Sequence, residues 1–478
     1  MLGLWRTVFA LLFVWALGAL ALGACGLRRR RWPLGYAQAA MDFVVGAALL
    51  SILWTCSALL GWEASPVLVY VALLVLAIPA GLRAVRQRGS GPEEAEDFPP
   101  GDRRYAWATG LAVTLLAIVA VGAAANSYAT PMFWDGRYIW AFKAKAIFLD
   151  GRLDREVFSN LARYRHTHVD YPLLVPSVQA WVYEFLGYID ERKAALVGLV
   201  YWVGLAGLLA CWLRRRMEWP WALGIALLVC QVPLMTYHGG GGGADVAQAF
   251  CFLAGGLLLA DWAERGRRED GVMSALMFGV GTLVKAEGLS MAVGGGLVFA
   301  FAWWARGRRM GWAGLACGAP ALVLPYLSWA ALRAHWGIPS LQVTRMQLRP
   351  WAELWLRGVA TARAMVEQFT AWPQWELAWV FIGLGLICFL LWVRRMGAIA
   401  ALWGLVFWQL AVYVGIYALS PYDIDWHLTT SLDRVLLHIM PLAAAAAAAA
   451  LAEAGPAGTA WSDLTRGRAH PYDDGRAR

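Results

Sequence analysis

Thirteen stretches of mostly apolar residues, most of them long enough to cross a lipid bilayer, run through the 478-residue chain. A transmembrane helix needs about 20 such residues, with a working range of about 17 to 25. Backbone polar groups inside a bilayer must be satisfied within the segment, so each stretch is predicted to be an α-helix. The predicted helices lie near residues 2–25, 36–60, 66–82, 105–127, 193–213, 219–237, 244–262, 271–285, 288–305, 312–333, 376–393, 397–419 and 434–452.

The composition also indicates an all-α polytopic membrane protein. Hydrophobic residues make up 60% of the chain and charged residues only 15%, whereas a soluble domain carries roughly a quarter charged residues. The net charge of +9 resides mainly in arginines of short loops, and no basic face of a water-soluble domain is visible, so we expect no nucleic-acid partner. The 29 tryptophans are typical of side chains that favour the membrane interface.

Six arginine clusters in short loops predict the orientation of the chain. Such clusters are retained in the cytoplasm, and thirteen alternating spans place all six there, with the N-terminus outside and the C-terminus inside. Arginines follow the first apolar run instead of preceding it, which is typical of a retained helix and not of a cleaved signal peptide. The clusters are Arg28–Arg31, Arg83/Arg86/Arg88, Arg214–Arg216, Arg265/Arg267/Arg268, Arg306/Arg308/Arg309 and Arg394/Arg395.

This alternation divides the chain into three parts. Residues 1–104 hold three helices and a cytoplasmic linker, and residues 105–452 form the main helical core with a large outer loop at 128–192. Residues 453–478 are predicted to be a disordered cytoplasmic tail. The seven cysteines show no CxxC and no Cys/His ligand spacing, so neither a structural zinc nor a disulfide framework is expected.

The outer loop opens with FWDGRYIWAFKAK, which places Asp135 just beyond the fourth predicted helix. The following residues have one apolar side and carry Lys143 and Lys145 on the other, a pattern that suits a helix lying in the membrane interface. Two interpretations of this stretch remain open. Asp135 is either a functional carboxylate or only the N-cap of the interfacial helix, with the lysines anchored to lipid phosphates.

Further along the same loop, His166, His168 and Asp170 alternate in the sequence RYRHTHVDYPLL. On an extended backbone, alternate side chains point the same way, which leaves a divalent metal open as a cofactor. In the alternative interpretation, the polar run and the rigid Tyr171-Pro172 pair only return the chain to the membrane.

Two further outer segments carry ionisable residues. The run GGGGGAD (239–245) is either a loop of close backbone approach leading to Asp245 or a flexible connector with Asp245 favouring the helix dipole. Lys285 and Glu287 lie between two apolar runs, where ionisable groups usually face a wet cavity. The alternative is a mutual ion pair that caps a hairpin.

The last outer segment, SPYDIDWHLTTSLDRVLLHIMP, is the richest in charge. Asp433 and Arg434 either compensate one another or belong to a polar site, and His438 follows one turn below Arg434 on the same helical face. Together, the five outer segments predict one polar site at the outer surface of the membrane. This segment contributes Asp423, Asp425, His427, Asp433 and Arg434.

These motifs together resemble bacterial membrane glycosyltransferases of the GT-C superfamily, relatives of the protein mannosyltransferases and of the lipid A aminoarabinose transferase. The similarity runs from about Asn126 to Pro441 and is most specific in SPYDIDWHLTTSLDR. It implies a GT-C-like bundle with interfacial helices in the first outer loop. It also implies a polyprenyl-phosphate-sugar donor, with the acidic residue that serves as catalytic base mapping onto Asp135. More distant relatives often carry paired acids there, whereas Gly136 follows Asp135 here.

The chemistry of such a transfer agrees with the residues. A lipid phosphate is already a good leaving group, so its end of the reaction needs cations and hydrogen-bond donors. The acceptor hydroxyl needs a carboxylate as base, for which Asp135 and then Asp245 are the candidates. The candidates for substrate binding are Lys143, Lys145, His168, Asp170, Tyr171, Lys285, Glu287, Asp425, His427, Asp433 and Arg434.

The predicted protein is therefore an inverting glycosyltransferase of the bacterial inner membrane, with its site on the outer face. Its expected partners are the lipid-linked donor, a lipid, glycan or protein acceptor, and the membrane lipids. Two other classes remain open, a secondary transporter and a non-catalytic envelope-assembly protein. A transporter, however, collects charge near the midplane and often shows inverted repeats, and neither pattern is evident in the sequence.

Overall fold

The computed structural model describes residues 2–28, 35–88, 105–305, 312–340, 346–392 and 396–454. These residues are all-helical and contain no β-strand. The predicted tail beyond residue 454, most of the linker, and the arginine clusters at 306–309 and 394–395 lie outside the described residues.

Twenty α-helices follow one another in the described part of the chain. A π-helical turn, Gly136–Ala141, precedes α5, and a 3-10 turn, Arg165–Thr167, follows α7. The helices are α1 Leu2–Cys25, α2 Tyr36–Leu59, α3 Pro66–Arg88, α4 Ala106–Ala129, α5 Phe142–Asp150, α6 Arg155–Ser159, α7 Leu161–Tyr164, α8 Leu174–Leu186, α9 Glu191–Leu213, α10 Trp219–Cys230, α11 Pro233–Gly240, α12 Asp245–Arg265, α13 Arg268–Gly281, α14 Glu287–Ala305, α15 Trp312–Trp336, α16 Trp351–Phe369, α17 Trp372–Trp375, α18 Ala378–Trp392, α19 Gly397–Leu419 and α20 Ile424–Ala454.

Each of the thirteen predicted segments is helical, which identifies the chain as an α-helical membrane protein. Among the described residues, eight helices are long and apolar enough to cross a membrane, and α10 with α11 makes a ninth if this bent pair is counted as one span. The pair was predicted as one helix but bends by 72°, because Pro233 opens α11 and cannot continue α10. A total of thirteen spans stays a prediction.

The last helix begins ten residues earlier than its apolar run predicts. The carboxylate of Asp423 accepts a hydrogen bond from the backbone N–H of Trp426 at 2.9 Å, so it caps α20. The hydroxyls of Thr429, Thr430 and Ser431 then donate to carbonyls four residues back, at 2.7 to 2.8 Å. These bonds satisfy the polar side chains within the helix. The polar motif and the alanine run after it therefore form one continuous helix.

Helix α12 is the centre of the bundle, and its apolar window is completely buried. It packs against α9, α13, α19 and α20. The alanine run 443–450 of α20 is buried where α20 packs against α12 and α18, as expected of small side chains that let helices approach closely. The first two helices also dock on this core, and the indole of Trp181 in α8 donates to the carbonyl of Ala10 at 3.1 Å.

The described arginine clusters gather at one end of the bundle. Arg215 at the end of α9 binds the carboxylate of Asp261 in α12 at 2.5 and 2.7 Å, and Arg216 binds Glu264 at 2.8 Å. At the same end, the ring of Tyr36 at the start of α2 lies against Gly207 of α9. We call this the arginine end.

The predicted outer segments gather at the opposite end, where α9, α12 and α20 begin. Arg137 in the π-helical turn binds Glu191 at the start of α9, at 2.9 Å. The structure therefore separates the arginine clusters from the acidic outer motifs along the bundle axis, as the alternation of spans requires.

Labelling of engineered cysteines tests this separation. In a background without the exposed native cysteines, Glu156→Cys lies in the outer loop and Glu264→Cys lies at the arginine end. We expect an impermeant thiol reagent to label Glu156→Cys in cells whose outer membrane alone is permeabilised, and Glu264→Cys only after the inner membrane is broken. Labelling of both variants under the same condition would contradict the predicted sidedness.

Candidate active site

A cavity of about 760 Å³ opens at the end of the bundle opposite the arginine end. This volume lies within the usual range of small-molecule sites, roughly 300–1,000 Å³. Residues from four of the five predicted outer segments contribute to its wall. Its charged and polar lining includes Asp135, Arg163, Arg165, His166, His168, Tyr171, Lys285, Glu287, Tyr413, Tyr417, Ser420, His427, Thr430 and Arg434.

Asp135 and Arg434 form an ion pair in the wall of this cavity, although they lie 299 positions apart in the chain. A nitrogen of the Arg434 guanidinium donates to Oδ2 of the Asp135 carboxylate, and the side chains of Arg434 and Asp135 are 25% and 22% exposed respectively. Asp135 makes no capping hydrogen bond to the following turn, so the interpretation of Asp135 as only an N-cap is wrong. The carboxylate of Asp433, next to Arg434 in the chain, accepts from the backbone N–H of Arg434 at 2.7 Å.

The glycine run positions Asp135 through close backbone contact. Asp135 leads into the π-helical turn, and a Cβ atom on Gly136 would lie 2.2 Å from the carbonyl oxygen of Gly241. The amide of Gln179 donates to the carbonyl of Gly242 at 2.9 Å, and the hydroxyl of Ser127 donates to that of Gly240 at 2.9 Å. The run is therefore a loop of close approach and not a flexible connector.

Asp245 lies behind the wall, buried to 2% exposure. Its Oδ1 atom accepts from Lys285 Nζ at 2.7 Å and lies 2.9 Å from His438 Nε2. Its Oδ2 atom lies 3.2 Å from His238 Nδ1. A buried carboxylate is stable only with such partners, and Asp245 does not line the cavity. The second candidate base is therefore buried behind the cavity wall, in contact with Lys285.

Lys285 and Glu287 both line the cavity. The hydrogen-bond partner of Lys285 is Asp245, whereas Glu287 Oε1 lies 3.9 Å from the ammonium. The two residues therefore form an ion pair with each other, as one interpretation predicted, while the hydrogen bond of Lys285 goes to Asp245. Asp245 holds the Lys285 side chain, and Glu287 lies beside it in the wall.

The segment with alternating histidines is not extended, so this prediction was wrong. His166 lies in the 3-10 turn, and His168 has a left-handed backbone with φ of 47°. The ring of His168 stacks on Tyr171 with centroids 4.7 Å apart, and both line the cavity, whereas Asp170 is buried outside its lining. The described residues contain no group of three or more His, Cys, Asp or Glu that could hold a metal ion.

The two lysines of the opening stretch were predicted to lie on an exposed polar face of an interfacial helix, and this prediction was wrong. Lys143 is 1% exposed, and its ammonium donates to the carbonyls of His168 at 2.7 Å and Tyr171 at 3.2 Å. Burial lowers the pKa of Lys143 to about 7, and the nearby Asp170 opposes this shift. Lys145 pairs with Glu191. Both lysines therefore hold the outer loop together, and neither lines the cavity.

Of the residues of the C-terminal motif that were predicted to bind substrate, His427 lines the cavity together with Arg434. Its Nδ1 atom lies 2.8 Å from the hydroxyl of Ser420, which fixes the orientation of the ring. Asp425 and Asp433 were predicted to bind substrate, but neither lines the cavity. On the helix that replaces the predicted loop, these two side chains are turned away from it.

Sequence reasoning missed several residues of the site. Tyr413 and Tyr417 lie four apart in the apolar run of α19, where the helical period would have placed them on one face. His238 lies between the predicted span 219–237 and the glycine run and was not named as a candidate. Arg163 and Arg165 belong to the quoted run RYRHTHVDYPLL but were not named as candidates, and the fold brings them to the cavity.

No family model, curated protein or solved structure matches this chain.

A substitution at Gly136 tests the close approach to Gly241. We expect Gly136→Ala to lower the melting temperature of the purified protein, because the new methyl group meets backbone and not a flexible side chain. Such overpacking typically costs about 1–3 kcal/mol. Gly110→Ala in α4 is the matched control, since nothing lies within 4 Å of its added Cβ. Equal stability of the two variants would contradict the described contact.

Proposed function

We propose that this protein transfers a sugar from a polyprenyl-phosphate donor to an acceptor hydroxyl at the outer face of the bacterial inner membrane. The observation that carries the proposal is the convergence of Asp135 and Arg434 in a cavity at one end of a membrane bundle. A base for the acceptor and a cation for the departing phosphate are the two groups that this reaction requires. The resemblance to GT-C glycosyltransferases supports the same assignment.

The proposed reaction is a single displacement at the anomeric carbon. The acceptor oxygen forms a bond to this carbon while its proton passes to the carboxylate of Asp135. The bond between the anomeric carbon and the phosphate oxygen breaks, and its electron pair leaves with the polyprenyl phosphate. Attack from the face opposite the leaving group inverts the anomeric configuration.

Inversion has a consequence for the ion pair. Base and leaving group have to be on opposite faces of the sugar, whereas the carboxylate of Asp135 and the guanidinium of Arg434 are in direct contact. We infer that the pair opens when the donor binds, with Arg434 moving to the phosphate. The side chains are partly exposed in the cavity wall, so both can change partners: Arg434 meets the phosphate, and the carboxylate of Asp135 is freed to accept the proton of the acceptor hydroxyl.

Lys285 is the second cation for the phosphate. Its ammonium lies in the cavity wall and is held by Asp245 at 2.7 Å. Asp245 is in turn bound by His438, which belongs to the same helix as Arg434. The two phosphate ligands are therefore coupled to one helix, and Asp245 orients Lys285 without meeting the substrate.

Activity in proteoliposomes tests the function itself. We expect a labelled sugar to pass from the polyprenyl phosphate to an acceptor in an envelope extract. A transporter would instead accumulate the sugar inside the vesicles without breaking its bond to phosphate.

Asp135→Asn separates proton removal from donor binding. The loss of a general base typically lowers the rate by roughly 10²- to 10⁴-fold. We also expect the donor to stabilise this variant against thermal unfolding at least as much as the wild type, because Arg434 has lost its ion-pair partner. Glu156→Gln, which changes an exposed carboxylate of the same loop outside the cavity, is the control. If Asp135→Asn keeps more than about a tenth of the activity, Asp135 is not the base.

Variants of Arg434 test the leaving-group end. An arginine fork grips two phosphate oxygens, which a lysine ammonium does not reproduce. We expect the apparent KM for the donor to rise most in Arg434→Ala, less in Arg434→Lys, and also in His427→Ala, while the KM for the acceptor stays nearly unchanged. Arg155→Ala, in the outer loop and outside the cavity lining, is the control. If Arg434→Ala keeps the apparent KM of the wild type for the donor, Arg434 does not bind the phosphate, and Lys285 is its only cationic ligand in the proposal.

A further inference from the structure

Helix α16 (Trp351–Phe369) is amphipathic in an unusual direction, because its apolar face points away from the protein. Five large apolar side chains are exposed on this face. They are Trp351 at 77%, Trp355 at 63%, Leu356 at 67%, Val359 at 47% and Val366 at 61%.

The inward face of α16 carries an arginine that binds the neighbouring loop. The Arg357 guanidinium donates to the carbonyls of Ala418 at 3.2 Å, Ser420 at 3.1 Å and Tyr422 at 2.9 Å, and also to that of Tyr417 at 3.3 Å. Arg349, just before the helix, donates to the same Ser420 carbonyl at 3.2 Å. We call residues 417–422, which comprise the last residues of α19 and the residues after it, the wall loop, because Tyr417 and Ser420–Tyr422 line the cavity.

A surface helix in water shows the reverse pattern, with its apolar stripe on the core and its polar residues outward. An apolar face that points outward at the end of a membrane bundle fits the apolar part of the bilayer interface, where tryptophan is favoured. Helix α16 packs against α19 and α20, both of which are candidate membrane spans. Helix α16 therefore lies alongside two candidate membrane-spanning helices.

We propose that α16 lies in the outer membrane–water interface with its apolar face on lipid acyl chains, and that Arg357 thereby fixes the wall loop relative to the bilayer. Three apolar or aromatic residues that line the cavity are also exposed, one of them in this loop and two beside it. They are Tyr422 at 38%, and Met346 at 38% and Trp426 at 56%. The mouth of the cavity thus lies next to α16. A lipid-anchored molecule reaches it along the membrane surface.

Spin labels on the full-length protein in lipid nanodiscs test the location of α16. Cys25, Cys56, Cys317 and Cys388 are first replaced by Ser, and a label is placed at Val359→Cys. Ile118→Cys, on the exposed apolar face of the candidate span α4, is the lipid control, and Glu156→Cys in the outer loop is the water control. We expect the label at 359 to collide several-fold more often with oxygen than with a polar nickel chelate, as the label at 118 does.

Two results would overturn this location. Nickel accessibility at 359 equal to that at 156 would place α16 in water. Strong spin–spin broadening at 359 in nanodiscs would mean that a second copy of the chain, and not lipid, covers the face.

The link from α16 to the wall loop has its own test. A spin label at Tyr422→Cys reports the mobility of the wall loop. We expect Arg357→Ala to release the carbonyls of this loop, so that the label moves more freely and the lines of its electron paramagnetic resonance spectrum become narrower. Arg363→Ala is the matched control, because Arg363 lies on the same helix but pairs only with Glu367 among the described residues. Unchanged mobility in Arg357→Ala would show that Arg357 does not hold the wall.

Discussion

The compensation of one buried carboxylate holds the candidate site together. Asp245 begins the most central helix of the bundle, and in so apolar an environment its charge requires partners. Those partners come from α11, from the turn before α14 and from α20, through His238, Lys285 and His438. The residues that contact Asp245 are thereby fixed relative to each other. Arg434 is fixed with them, because it lies one turn before His438 on α20.

Most of the fold could be predicted from hydropathy, since an apolar run in a bilayer has few conformations open to it. The segment boundaries agree closely where apolar residues meet loops, as in α1, α2 and α19. The predicted boundary was wrong where polar side chains satisfy their hydrogen bonds inside a helix, because α20 then begins earlier in the chain, at Ile424. Helix α16 was missed because its mixed composition does not match an apolar span.

The site was predicted as a set of outer segments but not as a set of contacts. Asp135, Lys285, Glu287, His168, Tyr171, His427 and Arg434 do line one cavity. A sequence shows only neighbouring charges, and of these Glu287 does lie within ion-pair distance of Lys285. Asp135 as the partner of Arg434, and Asp245 as the hydrogen-bond partner of Lys285, come from distant segments and could not be inferred. Lys143 was misassigned for the same reason, since carbonyls that accept from an ammonium leave no mark in a sequence.

The π-helical turn after Asp135 absorbs one residue without changing the direction of its neighbours. A π turn holds one more residue than an α turn over the same rise, whereas one residue added to a regular α-helix would turn everything beyond it by about 100° around the axis. Deleting one residue from Gly136–Ala141 would therefore leave a more regular helix, with Asp135 at nearly the same angle relative to α5, which Lys143 and Lys145 fix to the rest of the loop. Chain length in this turn is thus free to differ by one residue, provided that a glycine still follows Asp135 where Gly241 approaches.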